Sequence, residues 1–299
     1  MTFGSTNLAD VVVDAALQLN NRALRTLADR HGLLSEKDIH QLRVSVKRLR
    51  AMWQLVRKLV TDEQRAAARE RLRSVHRLLG PARDVTVITE TLERLGTKAG
   101  DAAVSAVLSR CVSGLTNDLI PAVLAIPVSR VSESFQDESR VWRELAFGDD
   151  STDALLHGYT RCYRKGRHLA RDVIAGASGE VLHELRRWAK FTLHQLDLIK
   201  AGLGDANRAR RWYLDRLGDT LGAHNDCWML AQRLPEFSLK RREHDCVTAQ
   251  LEARMRFTRA RVLKLLPHVY DDRPKVFRSH LREDLGRMGL VSEPERRTA

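Results

Sequence analysis

The sequence has few of the residues that disulfide frameworks, β-sheets and membrane spans require. Its four cysteines are scattered over 299 residues, which argues against a disulfide-stapled fold and predicts a reduced, cytoplasmic protein. The 7 prolines, 17 glycines and 5% aromatic residues, with abundant Leu, Ala, Arg and Val, favour helices over a β-sandwich or barrel. No apolar run approaches the roughly 18 residues that cross a bilayer, and the N-terminal segment lacks a basic n-region. We therefore expect no signal peptide and no membrane partner.

Acidic residues are also in short supply. The chain has 38 Asp and Glu against 51 Lys and Arg, which gives a formal net charge of +13 and a pI near 10.1. A surplus of this size favours a polyanionic partner, such as a nucleic acid, an acidic membrane surface or a polyphosphate-like ligand. Charge alone does not choose among these partners.

Apolar residues recur at three- and four-residue intervals along most of the chain, as in amphipathic helices. No segment alternates like a half-buried strand between hairpin turns, so the sequence predicts an all-α protein. Turn residues such as Gly80 with Pro81, and Gly222, predict where helices end. The predicted helices cover residues 8–30, 37–60, 62–79, 85–95, 101–119, 155–174, 180–203, 206–221, 226–233, 241–265 and 276–288.

Two motifs occur twice in the same order. Residues 40–47 read HQLRVSVK and residues 183–190 read HELRRWAK, 143 positions later. The sequence LGPARD at 79–84 returns as LGAHND at 221–226, 142 positions later. This spacing predicts a duplicated helical unit with its boundary at the FGDDSTD segment, that is, between residues 1–147 and 148–299. Gly80 and Gly222 are predicted at helix C-termini, and Asp84 and Asp226 as caps of the following helices.

The predicted helix that carries HQLRVSVK has a cationic stripe beside an apolar one. At about 100° per residue, the apolar seam of residues 42–60 lies next to a row of basic side chains. Residues 40–60 contain no Asp or Glu, so this row has no acidic partner on its own helix and its like charges repel. A bound anion would relieve the repulsion. The predicted anion contacts of this half are His40, Arg43, Lys47, Arg48, Arg50, Arg57, Arg73 and Arg83.

The second copy repeats the stripe with fewer cations. Its predicted contacts lie on the helix carrying the motif and on the preceding helix. They are Arg164, Arg167, His183, Arg186, Arg187, Lys190, His194 and Lys200. The five tryptophans, Trp188 among them, lie mostly on apolar faces and are interpreted as core residues.

These motifs resemble the signature of the CHAD family, the conserved histidine α-helical domain. The resemblance rests on H-x-L-R-V-x-x-K-R-L-R with L-G-x-x-R-D, then on H-x-L-R-x-x-x-K with L-G-x-x-N-D, and spans approximately residues 8–288. It implies two pseudo-symmetric antiparallel four-helix bundles that bind inorganic polyphosphate, without catalysis, on a basic surface or channel between the halves. It also implies association with polyphosphate granules. The matching positions are His40, Arg43, Lys47, Arg48 and Arg50, then His183, Arg186 and Lys190.

Two departures from the family pattern limit what the resemblance implies. Phe191 and Leu193 stand where the family commonly has basic residues, so we expect the first repeat to dominate binding. The family module is often fused to a CYTH triphosphatase with an E-x-E-x-K signature. This signature is missing from the sequence, so we predict no catalytic residue and no cofactor.

Three alternatives stay open at this point. The same charge would serve a nucleic-acid-binding protein through backbone contacts, although few aromatic residues lie among the basic positions to stack on bases. His244 with Asp245 is reminiscent of metal-dependent phosphohydrolases. A zinc site built from His224, Cys227, His244 and Cys246 would need a more regular spacing than these residues have, so no metal is predicted.

Overall fold

In a computed structural model, residues 7–29, 33–97, 102–148, 151–177 and 179–291 are described, and all of their regular secondary structure is helical. The all-α prediction is confirmed. The α-helices are α1 (Leu8–Ala28), α2 (Glu36–Leu55), α3 (Asp62–Leu78), α4 (Gly80–Gly96), α5 (Ala102–Leu124), α6 (Val128–Glu144), α7 (Ser151–Ile174), α8 (Gly179–Leu198), α9 (Asp205–Arg233), α10 (Arg241–Tyr270) and α11 (Pro274–Arg287).

The glycine of the LG motif ends a helix in only one of its two copies. α3 and α4 meet at Leu79, and Pro81 lies in the first turn of α4, as predicted. In the second copy the predicted break is wrong, because α9 runs without interruption through Gly222 for 29 residues. Asp84 lies within the first turns of α4, whose N-cap is Leu79, and Asp226 lies inside α9. Neither aspartate caps a helix.

Helix α6 is absent from the predicted helices. Its buried face consists of Val131, Phe135, Glu138, Ser139 and Trp142, in which a charged residue interrupts the apolar pattern. The carboxylate of Glu138 is fully buried and accepts hydrogen bonds from the indole N–H groups of Trp53 and Trp142 and from Arg71. A buried charge is tolerated when it is paired in this way. Sequence periodicity alone could not show this pairing.

The helices of each half pack as a ring. In the first half α1, α2, α3 and α6 contact one another in turn, and in the second half α7, α8, α9 and α10 do so, with α11 against α7 and α9. One continuous core extends through both rings, from Leu8 to Leu290. A second core joins α4 and α5 to the adjoining halves of α9 and α10. The rings are consistent with the predicted duplication, which stays a prediction.

Helix α2 is buried on two faces, whereas the sequence predicts one. Its second face packs against α7 and α8, where Ala51 contacts Cys162 and Phe191, and Gln195 Nε2 donates to the Ala51 carbonyl oxygen at 3.0 Å. A Cβ atom added at Gly158 of α7 would lie 2.4 Å from the Leu55 carbonyl oxygen, so the two backbones nearly touch. On the cationic stripe of α2, His40 is exposed, and Arg43, Lys47 and Arg50 are half-buried.

Two further sequence expectations concern the cysteines and the membrane. All four cysteines are free, and Cys246 alone of them is exposed. Among the described helices, none by itself combines the length and apolar composition of a membrane span. By those two criteria only, α5 and α6 qualify as a pair, with a bend of 59° between them.

Candidate anion-binding site

The basic side chains of both halves converge on Lys47. This residue is partly buried near the middle of α2, and burial is the main cause that lowers its pKa to about 7. Arg186 and Lys190 of α8, Arg43 of α2 and Arg83 of α4 contribute to the same shift, because their positive charges disfavour a further one. The structure thus brings cations from the two motif copies into one electrostatic group.

The group continues along α2 towards α3. Burial lowers the pKa of Arg50, and the neighbouring Arg187, Arg69 and Arg73 lower it further. His76 of α3 is surrounded by the same cations, and burial with their charge lowers its pKa to about 4. We call this surface the central basic trough. Its members are Arg43, Lys47, Arg50, Arg69, Arg73, Arg83, Arg186, Arg187 and Lys190.

Most of the trough cations have no ionic partner. Within the described part of the chain, six of the nine make no ion pair shorter than 4 Å, namely Arg43, Lys47, Arg50, Arg69, Arg73 and Arg186. By contrast, Lys190 Nζ lies 3.3 Å from Asp219 Oδ1 and 3.7 Å from Asp215 Oδ1. Unpaired like charges on a partly buried surface raise the free energy of the folded state, and an anion that binds there would lower it.

Two aspartates flank the trough in equivalent positions. Asp84 is near Arg43, and Asp226 is near Arg186. Burial raises the pKa of both carboxyl groups, and the arginine acts in the opposite direction in each case. The same arrangement therefore occurs once in each half, which supports the predicted duplication. It also places the aspartate of each LG motif near an arginine of the trough, at more than ion-pair distance.

Beyond Arg50 the trough opens into a cleft that the sequence did not predict, here called the arginine cleft. The cleft has a volume of about 390 Å³ and includes the predicted Arg57. Trp188 is half-buried and packs against the small core between α2, α7 and α8, as its interpretation as a core residue predicts. It also lines this basic cleft, where the Arg161 guanidinium lies 5.1 Å from the centre of its ring. The cleft is lined chiefly by Arg50, Arg57, Arg65, Arg69, Arg161 and Arg187, with Trp188 and Phe191. Arg65 and Arg161 belong to neither motif, and only tertiary packing could reveal them.

The two motif histidines have different surroundings. His40 is exposed, and its pKa is lowered by partial burial and by the nearby charges of Arg83 and Lys47. His183 Nδ1 lies 2.9 Å from Asn225 Oδ1 and faces a separate cleft that also contains Trp228. His40 is thus associated with the trough, whereas His183 is directed away from it.

Five other predicted residues lie outside the trough. Arg167 donates from Nε to the Tyr270 carbonyl oxygen at 2.9 Å, and so stabilises the C-terminus of α10. Arg164 is exposed beside Arg161, at the rim of the arginine cleft. The remaining three line a small separate cleft between α1, α2, α8 and α9. They are Arg48, His194 and Lys200.

The residues considered for metal binding have other contacts. His224 Nδ1 lies 3.0 Å from Thr258 Oγ1, and Cys227 is buried in the second core. His244 lies at the start of α10, 3.9 Å from Asp245 Oδ1. The described residues contain no group of three or more His, Cys, Asp or Glu side chains placed to hold a metal ion.

Comparison with known proteins gives a family and a fold. The CHAD domain model matches residues 15–235. PptA from Streptomyces chartreusis has a similar structure, with a TM-score of 0.62 and 15% identity over 89% of this chain and 100% of that chain. The crystal structure of the CHAD domain from the plant Ricinus communis gives a TM-score of 0.51 and 19% identity over 93% of this chain and 92% of that chain.

Because both sequence identities are below 20%, these two structures show only that the fold is shared. No curated protein matches the sequence with significance. Because the CHAD match covers well over half of the residues and includes both motif copies, the chain belongs to the CHAD family.

Proposed function

We propose that this protein binds inorganic polyphosphate in the central basic trough, without catalysing a reaction on it. The observation that carries the proposal is the convergence of cations from α2, α4 and α8 around Lys47, and of cations from α3 and α8 around Arg50. Polyphosphate is a linear, flexible anion, so it can follow a groove that crosses both halves. Arginine binds phosphate oxygens bidentately, and lysine adds a mobile point charge. Membership of the CHAD family supports the same ligand.

Within the trough, the first motif is expected to contribute more than the second. Arg43, Lys47 and Arg50 have no ionic partner among the described residues, whereas Lys190 is held by Asp215 and Asp219. Lys190 must therefore be released from its carboxylates before it can bind a phosphate fully. Leu193, at a position where the family commonly has a basic residue, is buried and adds no charge to the trough.

A nucleic acid is the second candidate ligand. Trp188 favours it, because an aromatic side chain beside arginines is a stacking surface for bases. The rest of the trough offers only cations, which recognise a backbone and not a base. We therefore expect polyphosphate to bind more tightly than duplex DNA or single-stranded RNA at equal phosphate concentration.

The test is a competition experiment. Fluorescently labelled long-chain polyphosphate is bound to the protein and then displaced by unlabelled polyphosphate, duplex DNA or single-stranded RNA, with anisotropy as the readout. Unlabelled polyphosphate should displace the probe at a phosphate concentration at least tenfold lower than either nucleic acid. Displacement by a nucleic acid at the same concentration or lower would contradict the proposal. Phosphate release, measured with and without Mg²⁺, should stay at baseline.

Polyphosphate affinity should depend on pH through Lys47. The pKa of this residue is about 7 in the free protein because of burial and nearby cations, and a bound polyanion favours its charged form. Binding therefore takes up a proton above pH 7, and the dissociation constant should rise by about three- to tenfold between pH 6.5 and pH 8.5. The pKa of His76 is about 4, so His76 stays neutral over this range.

Titrations at constant ionic strength measure this effect, with Lys47→Met as the control. The variant should bind more weakly at pH 6.5 and should lose most of the pH dependence. An unchanged pH dependence in Lys47→Met would assign the titration to another group.

The proposal extends to the cell in one respect. A protein that binds long polyphosphate chains without cleaving them should be found with polyphosphate granules. Whether it stores, localises or regulates the polymer is a separate question, which imaging of a tagged protein together with a polyphosphate stain addresses.

A further inference from the structure

The small cleft between α1, α2, α8 and α9 differs from the trough in size and position. Its volume is about 220 Å³, little more than half that of the arginine cleft, which is about 390 Å³. Arg48 lies about 100° around α2 from Lys47, so the two side chains leave the helix in different directions. The polar residues that line the small cleft are Gln18, Arg22, Arg48, His194, Asp197, Lys200 and Arg211.

Two buried polar atoms at this cleft have no hydrogen-bond partner. They are Nε of Arg48 and Nδ1 of His194, neither of which is exposed to solvent. The nearest carboxylate oxygen to His194 Nδ1 is Asp197 Oδ2 at 3.7 Å, which is too long for a hydrogen bond. An unpaired buried donor typically costs about 1–3 kcal/mol, so such groups usually have a partner, which can be a bound ligand.

The charge of the cleft is strongly positive. Asp197 is the one carboxylate among the lining residues, and its Oδ1 already accepts from Arg211 at 2.6 Å. Arg22, Arg48 and Lys200 make no ion pair within the residues that the structure describes. The cleft thus combines three unneutralised cations with one carboxylate that is already paired, and an oxyanion would neutralise the cations. The two unsatisfied nitrogens would join the contact once their side chains turn towards the anion.

We propose that this cleft is a second anion site that binds a single phosphate group. It is too small for a folded polyphosphate segment, and one tetrahedral phosphate would bring its oxygens to the Arg48 guanidinium, the His194 ring and the Lys200 ammonium together. The phosphate is either free orthophosphate or the terminal group of a chain, which present the same oxygens to these donors. The site stands apart from the polyphosphate trough and does not depend on it.

The test uses two sets of variants in the full chain and two ligands. The cleft variants are Arg48→Met with Lys200→Met, and Lys200→Met alone, since exposed Lys200 can be replaced without a folding risk. The trough variant combines Arg43→Met, Lys47→Met and Arg186→Met. Orthophosphate binding is measured by calorimetry, and binding of long-chain polyphosphate is measured with free ends and with amidated ends.

We expect the double cleft variant to lose at least tenfold in orthophosphate affinity and Lys200→Met alone to lose about threefold. The trough variant should keep orthophosphate affinity within twofold. If the natural occupant is a chain end, amidation should weaken polyphosphate binding to the unmodified protein but not to the cleft variants. If it is free orthophosphate, amidation should have no effect on either.

Two results would overturn the second site. One is orthophosphate binding that is absent, or that the cleft substitutions leave unchanged. The other is loss of orthophosphate binding in the trough variant alone, which would place it in the trough. Neither result bears on the polyphosphate proposal, since that depends on long-chain binding and its loss in the trough variant.

Discussion

Combining Arg43→Met, Lys47→Met and Arg186→Met is expected to weaken the binding of long-chain polyphosphate by about 10²- to 10³-fold. Each substitution removes one charge-assisted contact worth about 1–1.5 kcal/mol of binding free energy. The three losses add up, which gives this range of fold-change in affinity. Three fewer phosphate contacts should also lower the slope of log affinity against log salt by about two. The three residues are chosen because Arg43 and Arg186, one from each half, are neighbours of Lys47.

The three substitutions have opposite effects on stability, because Lys47→Met removes an unfavourable charge, whereas the loss of Arg43 and Arg186 removes a favourable positive charge near the half-buried Asp84 and Asp226. Protonated Lys47 is unfavourable in its partly buried position, as its lowered pKa shows, and methionine fills a similar volume without charge. Circular dichroism and thermal unfolding should therefore show an unchanged or higher Tm for Lys47→Met alone, and a folded, helical protein at the assay temperature for the triple variant. A weaker affinity in a triple variant that is unfolded at that temperature would not count as evidence for the site.

A matched control makes the same change of charge elsewhere. Arg130, Arg261 and Lys264 are exposed and lie outside the residues that line the trough. Their joint replacement by methionine removes three positive charges as well, and it should lower affinity by less than about threefold through long-range electrostatics. Equal losses in the two triple variants would mean that net charge, and not the trough, determines binding.

Gly158→Ala is expected to destabilise the protein by about 2–3 kcal/mol, the usual cost of overpacking a tight contact. The added methyl group would lie 2.4 Å from the Leu55 carbonyl oxygen and 2.7 Å from the Leu55 Cα atom. Both are backbone atoms, so α2 and α7 must separate to make room. This movement would also shift the cationic stripe of α2 relative to α8, and we expect weaker polyphosphate binding as a second effect.

Gly114→Ala is the control for this substitution. Gly114 also lies inside a helix, α5, but a Cβ atom there would meet nothing within 4 Å. Because alanine has the higher helix propensity, by about 1 kcal/mol, this variant should be slightly more stable than the natural protein. Chemical unfolding of both variants gives the comparison. A neutral or positive effect at Gly158 would show that the two halves are not held together by this close approach.

Local patterns in the sequence predicted much of the fold, with exceptions that have physical causes. The 3.6-residue period indicated the helices, and Gly80 with Pro81 marked a true boundary because proline and glycine act on the local backbone. Gly222 has the same sequence context, yet the helix continues through it because burial within α9 outweighs the modest helix penalty of glycine. Helix α6 was not predicted because Glu138 interrupts the apolar pattern of its buried face. The Glu138 carboxylate is stabilised there by Trp53 and Arg71, which lie far away in the chain.

The sequence showed that the candidate site is cationic, but it did not show how the cations are arranged in space. A row of Lys and Arg without interspersed acids on α2, and its weaker copy on α8, can be recognised from helical periodicity alone. The sequence by itself therefore predicted an all-α fold, which the structure confirms, and a polyanionic partner, which is what we propose for the trough. Only the tertiary structure decided which cations act together. The angle around one helix relates only the side chains of that helix. The packing of α2, α7 and α8 decides the rest: it brings Arg186 near Lys47 and Arg161 near Trp188, and it places Arg48 in another cleft.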